Sequence, residues 1–246
     1  MISSLRNHPF AMEAFFESSV VVTFAFPKEQ LQPLIPKCLS LDTHNDHWAF
    51  IAVAMVETRN MRIKGWPAWS GRNFFLAGYR VFVKYKTVTG KRLRGLYILK
   101  SETDSKLMEL LSRYFTRYQF ATTDIDILKN TEYSEIRSVG SDFILRYHHP
   151  KTKIVKLPEE SPFTDWNEAR RFAGPLPFTF YFNQNNNQVT IVEGVRENWK
   201  PQPIEIVKNH FSFFEKMNLH QPVLCSGFVV EKLPYYWKNG RTEQWH

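Results

Sequence analysis

Gly95-Leu96-Tyr97-Ile98-Leu99-Lys100 is the stretch that decides the fold, because it is apolar on both faces until its last residue. A strand of this kind is buried on both sides. The alternating segment Tyr79–Tyr85 precedes it across the turn Thr89-Gly90-Lys91, so the two segments predict a β-hairpin. Ser101 and Glu102 follow the buried strand directly. Polar groups at the end of a buried strand predict the wall of a pocket.

The first strand of this hairpin has two distinct faces. Side chains alternate across a strand with a period of two. One face carries only apolar or aromatic residues, and the other carries two cations and a phenylalanine: Tyr79, Val81, Val83 and Tyr85 against Arg80, Phe82 and Lys84. The pattern predicts a strand with one apolar and aromatic face and one face that carries charge, and Arg80 and Lys84 share the charged face with Phe82.

A helix is predicted directly after the hairpin. Ser101 is followed three residues later by Asp104, which is close to a capping box at a helix N-terminus. Five apolar or aromatic residues then recur at helical spacing: Leu107, Leu110, Leu111, Tyr114 and Tyr118. This pattern predicts one principal helix over about residues 101–118, with its apolar stripe against the sheet.

Strand patterns dominate the rest of the chain. Apolar or alternating segments predict strands at 19–26, 47–57, 125–128, 132–138, 141–148, 178–183, 189–198, 204–214 and 223–232. A short helical turn is predicted from Leu31 to Ile35. The sequence shows no internal repeat and no linker-like segment. It therefore predicts a single domain over residues 1–246, of the α+β class, with a curved, mainly antiparallel sheet or barrel.

The composition predicts a folded, soluble chain. Hydrophobic residues make up 43% of the 246 residues, which is enough for a packed core. The formal net charge is +8, but the cations are scattered, as on a solvated basic surface. Cys38 and Cys225 stand among apolar neighbours, and the first residues carry no secretory pattern. We therefore expect a cytoplasmic protein that does not enter a membrane, and homo-oligomer formation stays open.

Metal, cofactor and nucleic-acid chemistry are not predicted. His44 and His47 lie in a predicted turn, and His148 and His149 are adjacent on a strand, so they point to opposite faces. The sequence has no nucleophile elbow and no glycine-rich phosphate loop. Aromatic residues and cations interleave in Tyr79–Lys86, but an alternating strand accounts for that pattern without nucleic acid. We therefore expect no metal, no cofactor and no nucleic-acid partner.

Five residues form the candidate site: Arg80, Lys100, Glu102, Arg196 and Trp199. An unpaired buried cation is costly, so an arginine on an inward face needs a partner. Two interpretations stay open, an internal ion pair that orders the fold and an anchor for a small organic anion. In the second, Arg80, Lys100 and Arg196 bind the carboxylate of the substrate and Trp199 forms an apolar wall. Glu102 is then the catalytic acid or base.

The order of several sequence blocks resembles one known family. Leu31-Gln32-Pro33-Leu34-Ile35-Pro36, followed by Leu39-Ser40-Leu41-Asp42, resembles the opening of the YqjF-like proteins. The resemblance continues through residues 48–55, 74–83, 95–118, 172–203 and 229–235, and so covers most of the chain. That family is a domain of unknown function (number 2071) in the acetoacetate decarboxylase-like superfamily. The resemblance implies a closed, conical antiparallel β-barrel with a central cavity and few helices.

The founding enzymes of that superfamily use a lysine Schiff base, and the resemblance implies where it would stand. Glu102 matches the glutamate of their Arg-Glu dipeptide, with Ser101 in place of the arginine. Met108-Glu109 stands where their lysine pair would be, and Lys106, the nearest lysine, is predicted to face solvent. Leu76 stands where the YqjF-like pattern usually carries an acid. Decarboxylation through a Schiff base is therefore not expected.

The sequence as a whole predicts an uncharacterised cytoplasmic protein that binds a small carboxylate or keto acid in a central cavity. Whether it is an enzyme stays open. An enzymatic version would be a lyase or hydrolase that acts on a small carboxylate without a Schiff base. The alternative is an interaction or structural module whose basic surface meets nucleic acid or a protein partner.

Overall fold

The computed structural model describes residues 6–117, 119–149, 156–174 and 176–245. This part of the chain consists mainly of strands, joined by short helices and turns. The strands are β1 (Met12–Pro27), β2 (Ser40–Leu41), β3 (Trp48–Ile63), β4 (Arg72–Lys86), β5 (Arg92–Thr103), β6 (Phe120–Thr122), β7 (Asp126–Lys129), β8 (Tyr133–Ser138), β9 (Phe143–His148), β10 (Phe178–Asn183), β11 (Gln188–Arg196), β12 (Gln202–Pro203), β13 (Ile206–Phe211), β14 (Val223–Trp237) and β15 (Arg241–Gln244). The helices are α1 (Lys28–Leu31), α2 (Lys106–Phe115), α3 (Trp166–Ala173) and α4 (Ser212–Lys216), with 3₁₀ turns at Gln32–Leu34 and Ala68–Ser70.

Seven of the strands form a ring. β14, β1, β3, β4, β5, β10 and β11 are hydrogen-bonded in that order, and β11 pairs back with β14 from Gly194–Trp237 to Arg196–Tyr235. Neighbours in the ring are antiparallel except β5 and β10, which are parallel. The β5–β10 and β11–β14 pairings are short, so the ring is less regular than an ideal barrel. The predicted α+β class with a mainly antiparallel sheet is confirmed.

One face of the ring packs against a second sheet of four strands, in the order β13-β9-β8-β7, and against α4. The β4 residues Tyr79, Val81, Val83 and Tyr85, which share one face of the strand, all belong to this core. The ring of Tyr79 stacks on that of Phe213 in α4, with 4.0 Å between the centroids. Aromatic stacking of this kind adds to the burial of apolar area in holding the two layers together.

A β-bulge interrupts the pairing of β4 with β5. Arg80 lies opposite Ile98, but the preceding residue, Tyr79, lies opposite Lys100, so Leu99 is an extra residue on β5. Beyond the bulge, the alternation of side chains along β5 is shifted by one position. Lys100 therefore shares the face of Tyr79 rather than that of Arg80.

Helix α2 begins later than the sequence pattern predicts. Residues 101–103 extend β5, and the helix begins at Lys106. Its N-cap is Ser105, whose side chain accepts a hydrogen bond from the N–H of Met108 at 3.4 Å. The reason is that residues 101–103 continue to pair with β4, and this non-local pairing outweighs the local capping pattern. Tyr118, the last residue of the predicted helix, lies outside the described residues.

The apolar stripe of α2 lies on the exposed side of the helix, so the prediction that it packs against the sheet is wrong. Leu107, Leu110 and Tyr114 are 43%, 49% and 53% exposed. The buried residues of this helix are Met108 and Ser112. The hydroxyl of Ser112 accepts a hydrogen bond from the first backbone N–H of β6 at 3.0 Å. The late helix start turns a different side toward the sheet than the one that periodicity selects.

Two further helices are not predicted by the sequence pattern. α3 follows Asp165, which accepts a hydrogen bond from the N–H of Glu168 at 2.8 Å. The predicted strand at 204–214 ends at Phe211, and Ser212 begins α4. The aromatic residues on both sides of that boundary are buried, which makes the segment resemble one continuous strand in sequence. None of the helices in the described ranges is long and apolar enough to cross a bilayer.

Candidate functional site

A cavity of about 140 Å³ lies against the ring of strands. Each of the seven ring strands contributes at least one lining side chain: Phe16, Ala54, Arg80, Ile98, Thr179, Arg196 and Tyr235. Trp199 lines it from the segment after β11. Voids larger than a water molecule are few in protein interiors, so a space of this size is a candidate binding site.

The wall of the cavity is mostly apolar and carries two cations. The polar side chains among the lining residues are His8, Ser19, Arg80, Ser101, Thr179, Arg196 and Tyr235. No aspartate, glutamate or lysine is among the lining residues of the described chain. Burial lowers the pKa of His8 to about 4, so this imidazole is neutral near pH 7. The charge of the cavity wall therefore comes from the two arginines.

Arg196 is held at the end of β11 by aromatic rings. Its guanidinium carbon lies 4.3 Å from the ring centroid of Trp199 and 6.0 Å from that of Tyr235. Burial lowers the pKa of Arg196, but an arginine in a protein keeps its charge. Its Nη2 is buried and has no hydrogen-bond partner within the described part of the chain. A partly buried cation with an open donor is suited to an anion that enters the cavity.

Arg80 reaches the cavity from β4 by folding back over a glycine. Its Nε lies 3.2 Å from the position that a Cβ at Gly78 would take, and its Nη2 lies 3.4 Å from that position. Gly78 is paired with Ser101 of β5, which also lines the cavity. The absence of a side chain at Gly78 therefore leaves room for the guanidinium on this part of the wall.

Tyr235 is a polar group of the wall that feels the charges of both arginines. Burial raises the pKa of Tyr235, while the positive charges of Arg196 and Arg80 act in the opposite direction. The net shift is upward, so the phenol is neutral near pH 7 and can donate a hydrogen bond. Its ring stacks on Phe16 at 4.7 Å, and its hydroxyl fills the space that a Cβ at Gly194 would need. The phenol is therefore fixed in one place.

Lys100 and Glu102 lie on the other face of the sheet, apart from the arginines. The two form an ion pair, with 2.6 Å from Lys100 Nζ to Glu102 Oε1, and Glu102 is only 1% exposed. The hydroxyl of Ser141 donates a hydrogen bond to Glu102, and Lys100 lies over the ring of Phe213 at 5.8 Å. This differs from the expectation of a single site. The bulge at Leu99 is the reason, because regular alternation would have turned both charges toward the cavity.

The structure thus brings three of the five predicted site residues together: Arg80, Arg196 and Trp199. It also adds Tyr235 and His8, which the sequence reasoning missed. A signal for Tyr235 was present, because alternation along Val223–Trp237 places Leu233, Tyr235 and Trp237 on one face. No comparable signal existed for His8, which precedes the first strand.

The segment from α3 to β10 closes one side of the cavity. Ala173, Gly174 and Leu176 contribute lining atoms there. Arg94 connects this segment to the sheet. Its Nη2 donates a hydrogen bond to the carbonyl of Phe172 at 2.8 Å, and its Nε donates one to the buried carboxylate of Asp42, next to β2, at 2.6 Å. These contacts hold the segment against the sheet, beside the cavity.

The histidines considered as metal ligands have other contacts. His44 lies 3.1 Å from a carboxylate oxygen of Glu168 and packs edge-on against Phe163 and Phe172. Within the described ranges, no group of three or more His, Cys, Asp or Glu side chains is arranged to hold a metal ion. His44 therefore helps to attach α3.

Three solved structures have a similar fold. Acetoacetate decarboxylase from Legionella pneumophila subsp. pneumophila str. Philadelphia 1 aligns with a TM-score of 0.61 and 11% identity, over 94% of this chain and 86% of that chain. An acetoacetate decarboxylase-like enzyme from Sphingomonas wittichii RW1 aligns with 0.58 and 11%, over 98% and 94%. The enduracididine biosynthesis enzyme MppR, complexed with the condensation product of pyruvate and imidazole 4-carboxaldehyde, aligns with 0.58 and 9%, over 97% and 90%. The expected acetoacetate decarboxylase-like fold is confirmed.

Sequence comparison gives the family. No curated protein matches this chain in sequence. The model of the DUF2071 family, which is described as an uncharacterized conserved protein, matches residues 14–232. The matched range includes all seven ring strands in whole or in part, as well as Arg80, Arg196 and Trp199. The chain belongs to the DUF2071 family.

Proposed function

We propose that this protein binds a small organic carboxylate in the cavity of the strand ring, held by Arg196 and Arg80. The observation that carries the proposal is the partly buried guanidinium of Arg196, whose Nη2 is fully buried. It lies in a mostly apolar cavity, its Nη2 lacks a hydrogen-bond partner in the described ranges, and no acidic side chain of those ranges lines the wall. Even a partly buried charge without an ionic partner is costly, and a carboxylate would offset that cost with charge-assisted hydrogen bonds.

The neutral polar groups near the arginines support the same ligand. Tyr235 can donate a hydrogen bond to a carboxylate or to a neighbouring carbonyl oxygen, since burial raises the pKa of its phenol. The described lining residues include no lysine, which argues against a Schiff base in this cavity. If the bound carboxylate reacts, the phenol of Tyr235 is the proton donor that we propose for a lyase or hydrolase step.

A cytoplasmic location is part of the proposal, and the two thiols support it. Cys38 and Cys225 are both free. Burial raises the pKa of Cys38 to about 11, and it also raises the pKa of Cys225. Protonated thiols that are partly buried, as at Cys38, or buried, as at Cys225, are typical of a reducing compartment.

Thermal-shift titration with matched ligands tests the proposal. Small carboxylates are compared with the corresponding uncharged amides at fixed salt, for example benzoate with benzamide. A carboxylate at about 100 times its Kd stabilises the folded state by roughly 2.7 kcal/mol, which raises the Tm by about 5–10 °C, while the amide leaves it unchanged. Equal shifts for acid and amide would contradict the proposal.

Two arginine variants complete the test. Arg196→Met removes the partly buried guanidinium, so we expect the carboxylate to lose its effect on the Tm. Arg92→Met changes an exposed arginine of β5 that does not line the cavity, and it should respond to the ligand like the unmodified protein. A carboxylate response that survives Arg196→Met would place the bound anion elsewhere.

A further inference from the structure

We infer that the ligand is a monocarboxylate whose organic part is an apolar group up to the size of a benzene ring, such as an aryl or a branched alkyl group. This inference rests on the proposed function and specifies its substrate class. It is carried by the size of the cavity, by the side chains that create the space, and by the distribution of polar groups over its wall.

The volume of the cavity limits the size of the ligand. The cavity has a volume of about 140 Å³. An apolar cavity of about 150 Å³ is large enough to hold benzene. A carboxylate on a single ring, or on a branched chain of similar bulk, therefore matches the space, whereas a long acyl chain or a fused polycyclic acid exceeds it.

Small side chains on β3 leave space for the ligand. Along β3, the residues Ile51, Val53 and Met55 face the filled core, while the alternate residues Ala52 and Ala54 face the cavity. Alternation of large and small residues on one strand therefore fills one face and leaves room on the other.

A row of small residues extends this surface across three strands. Ala54 lies opposite Gly78, and Gly78 lies opposite Ser101. Val21 of β1 continues the row on the other side of Ala54. Arg80 folds over Gly78, so its guanidinium lies above the row. A ligand with its carboxylate on Arg80 can therefore rest its apolar part on Val21 and Ala54.

The cavity wall offers few hydrogen-bond partners to the organic part of a ligand. A sugar, a polyol or an amino acid needs several hydrogen-bond partners for its organic part, because buried polar groups without partners are costly. The apolar residues Phe16, Phe82, Ile98, Leu176, Phe228 and Leu233 dominate the wall instead. Such a wall selects against polar ligands and favours ligands that bury apolar area.

Calorimetric titration of the full-length protein with a graded series tests the inference. The series is acetate, 3-methylbutanoate, benzoate, succinate and glycerate at one salt concentration. Each buried methylene tightens binding about fourfold, so 3-methylbutanoate and benzoate should bind about 50-fold or more tightly than acetate. Equal affinity for acetate and benzoate, or tighter binding of succinate or glycerate, would overturn the inference and leave the proposed function intact. No binding of any carboxylate would instead overturn the proposed function.

Two cavity variants locate the apolar part. Ala54→Leu fills the space, so we expect benzoate affinity to fall at least tenfold while acetate affinity stays within about twofold. Val21→Ala enlarges the space, and it should improve the affinity for 2-naphthoate relative to benzoate. The second variant adds no bulk and keeps the test decisive if the first does not fold. A ratio of 2-naphthoate affinity to benzoate affinity that is the same in Val21→Ala as in the unmodified protein would overturn the inference.

Discussion

The hydroxyl of Tyr235 occupies the space that a Cβ at Gly194 would need. Gly194 lies two residues before Arg196 on β11, and Arg196 is paired with Tyr235 across the junction that closes the strand ring. The glycine therefore lets the phenol lie flat against the strand that carries the arginine. The same relationship recurs on β4, where Gly78 makes room for the guanidinium of Arg80.

The first prediction tests the contact between Gly194 and Tyr235. Gly194→Ala forces the phenol to move, and we expect a loss of about 1–3 kcal/mol in the free energy of unfolding, as for other overpacked sites. Urea denaturation measures this loss. Both the hydroxyl and the ring carbon Cζ of Tyr235 lie within 3.0 Å of the Cβ position at Gly194, so Gly194→Ala should cost less stability in the double variant G194A/Y235A, relative to Tyr235→Ala alone, than it costs in the unmodified protein. Independent, additive losses in the double variant would show that the contact is not tight.

The second prediction concerns the role of the Tyr235 phenol toward a ligand. Tyr235→Phe removes one hydrogen-bond donor, which should weaken carboxylate binding by about 1 kcal/mol, or roughly fivefold. Because burial keeps the pKa of Tyr235 above its ordinary value, the affinity of the unmodified protein should not change from about pH 6 to about pH 9. Titration calorimetry at several pH values measures both effects. A loss of affinity near pH 8 would show that the phenol ionises in the cavity.

The third prediction separates the Lys100–Glu102 pair from the cavity. Lys100→Met leaves the buried carboxylate of Glu102 without its cation, and we expect a loss of about 2–3 kcal/mol, less than for a fully buried pair because Lys100 is partly exposed. The double variant K100M/E102Q removes both charges and should be more stable than the single variant. Ligand affinity should stay unchanged in both, since the pair lies on the other face. Reduced ligand affinity in K100M/E102Q would instead show that the Lys100–Glu102 pair belongs to the ligand-binding site.

The fourth prediction uses pH. Backbone hydrogen bonds from Val139 and Gly140, with a further one from the hydroxyl of Ser138, lower the pKa of Asp124 from 3.8 to about 2. A carboxyl with a depressed pKa in the folded state stabilises it above pH 3.8, and this contribution is lost as the pH falls toward 2. Asp124→Asn should therefore lower the Tm at neutral pH, and the gap to the unmodified protein should narrow below about pH 4. A gap that is constant in acid would contradict this assignment.

The fifth prediction tests which side of α2 is buried. Leu110→Ser changes an exposed side chain and should alter the free energy of unfolding by less than about 0.5 kcal/mol. Met108→Ala truncates a buried side chain and should cost about 2 kcal/mol or more. Urea denaturation of the two variants compares them directly. The opposite order would mean that the leucine stripe packs against another part of the protein.

Much of the fold could be predicted because its pattern is local. Alternation with a period of two separated the two faces of β4, and the predicted strands at 132–138 and 178–183 agree closely with β8 and β10. The candidate site was predicted in part. Arg80 and Arg196 line one cavity although more than a hundred residues separate them in sequence, because β4 and β11 belong to the same ring. Tyr235 joined them through the β11–β14 pairing, which no local pattern reveals.

The sequence by itself determined where most of the long strands lie and which side chains alternate along them, since these follow from backbone geometry and hydrophobic periodicity over a few residues. Only the tertiary structure decided the register. The single extra residue at Leu99 turns Lys100 and Glu102 away from Arg80, and the extension of β5 delays the start of α2 and exposes its leucines. Both outcomes depend on hydrogen bonds between β4 and β5, whose energy belongs to the paired strands and not to either segment alone.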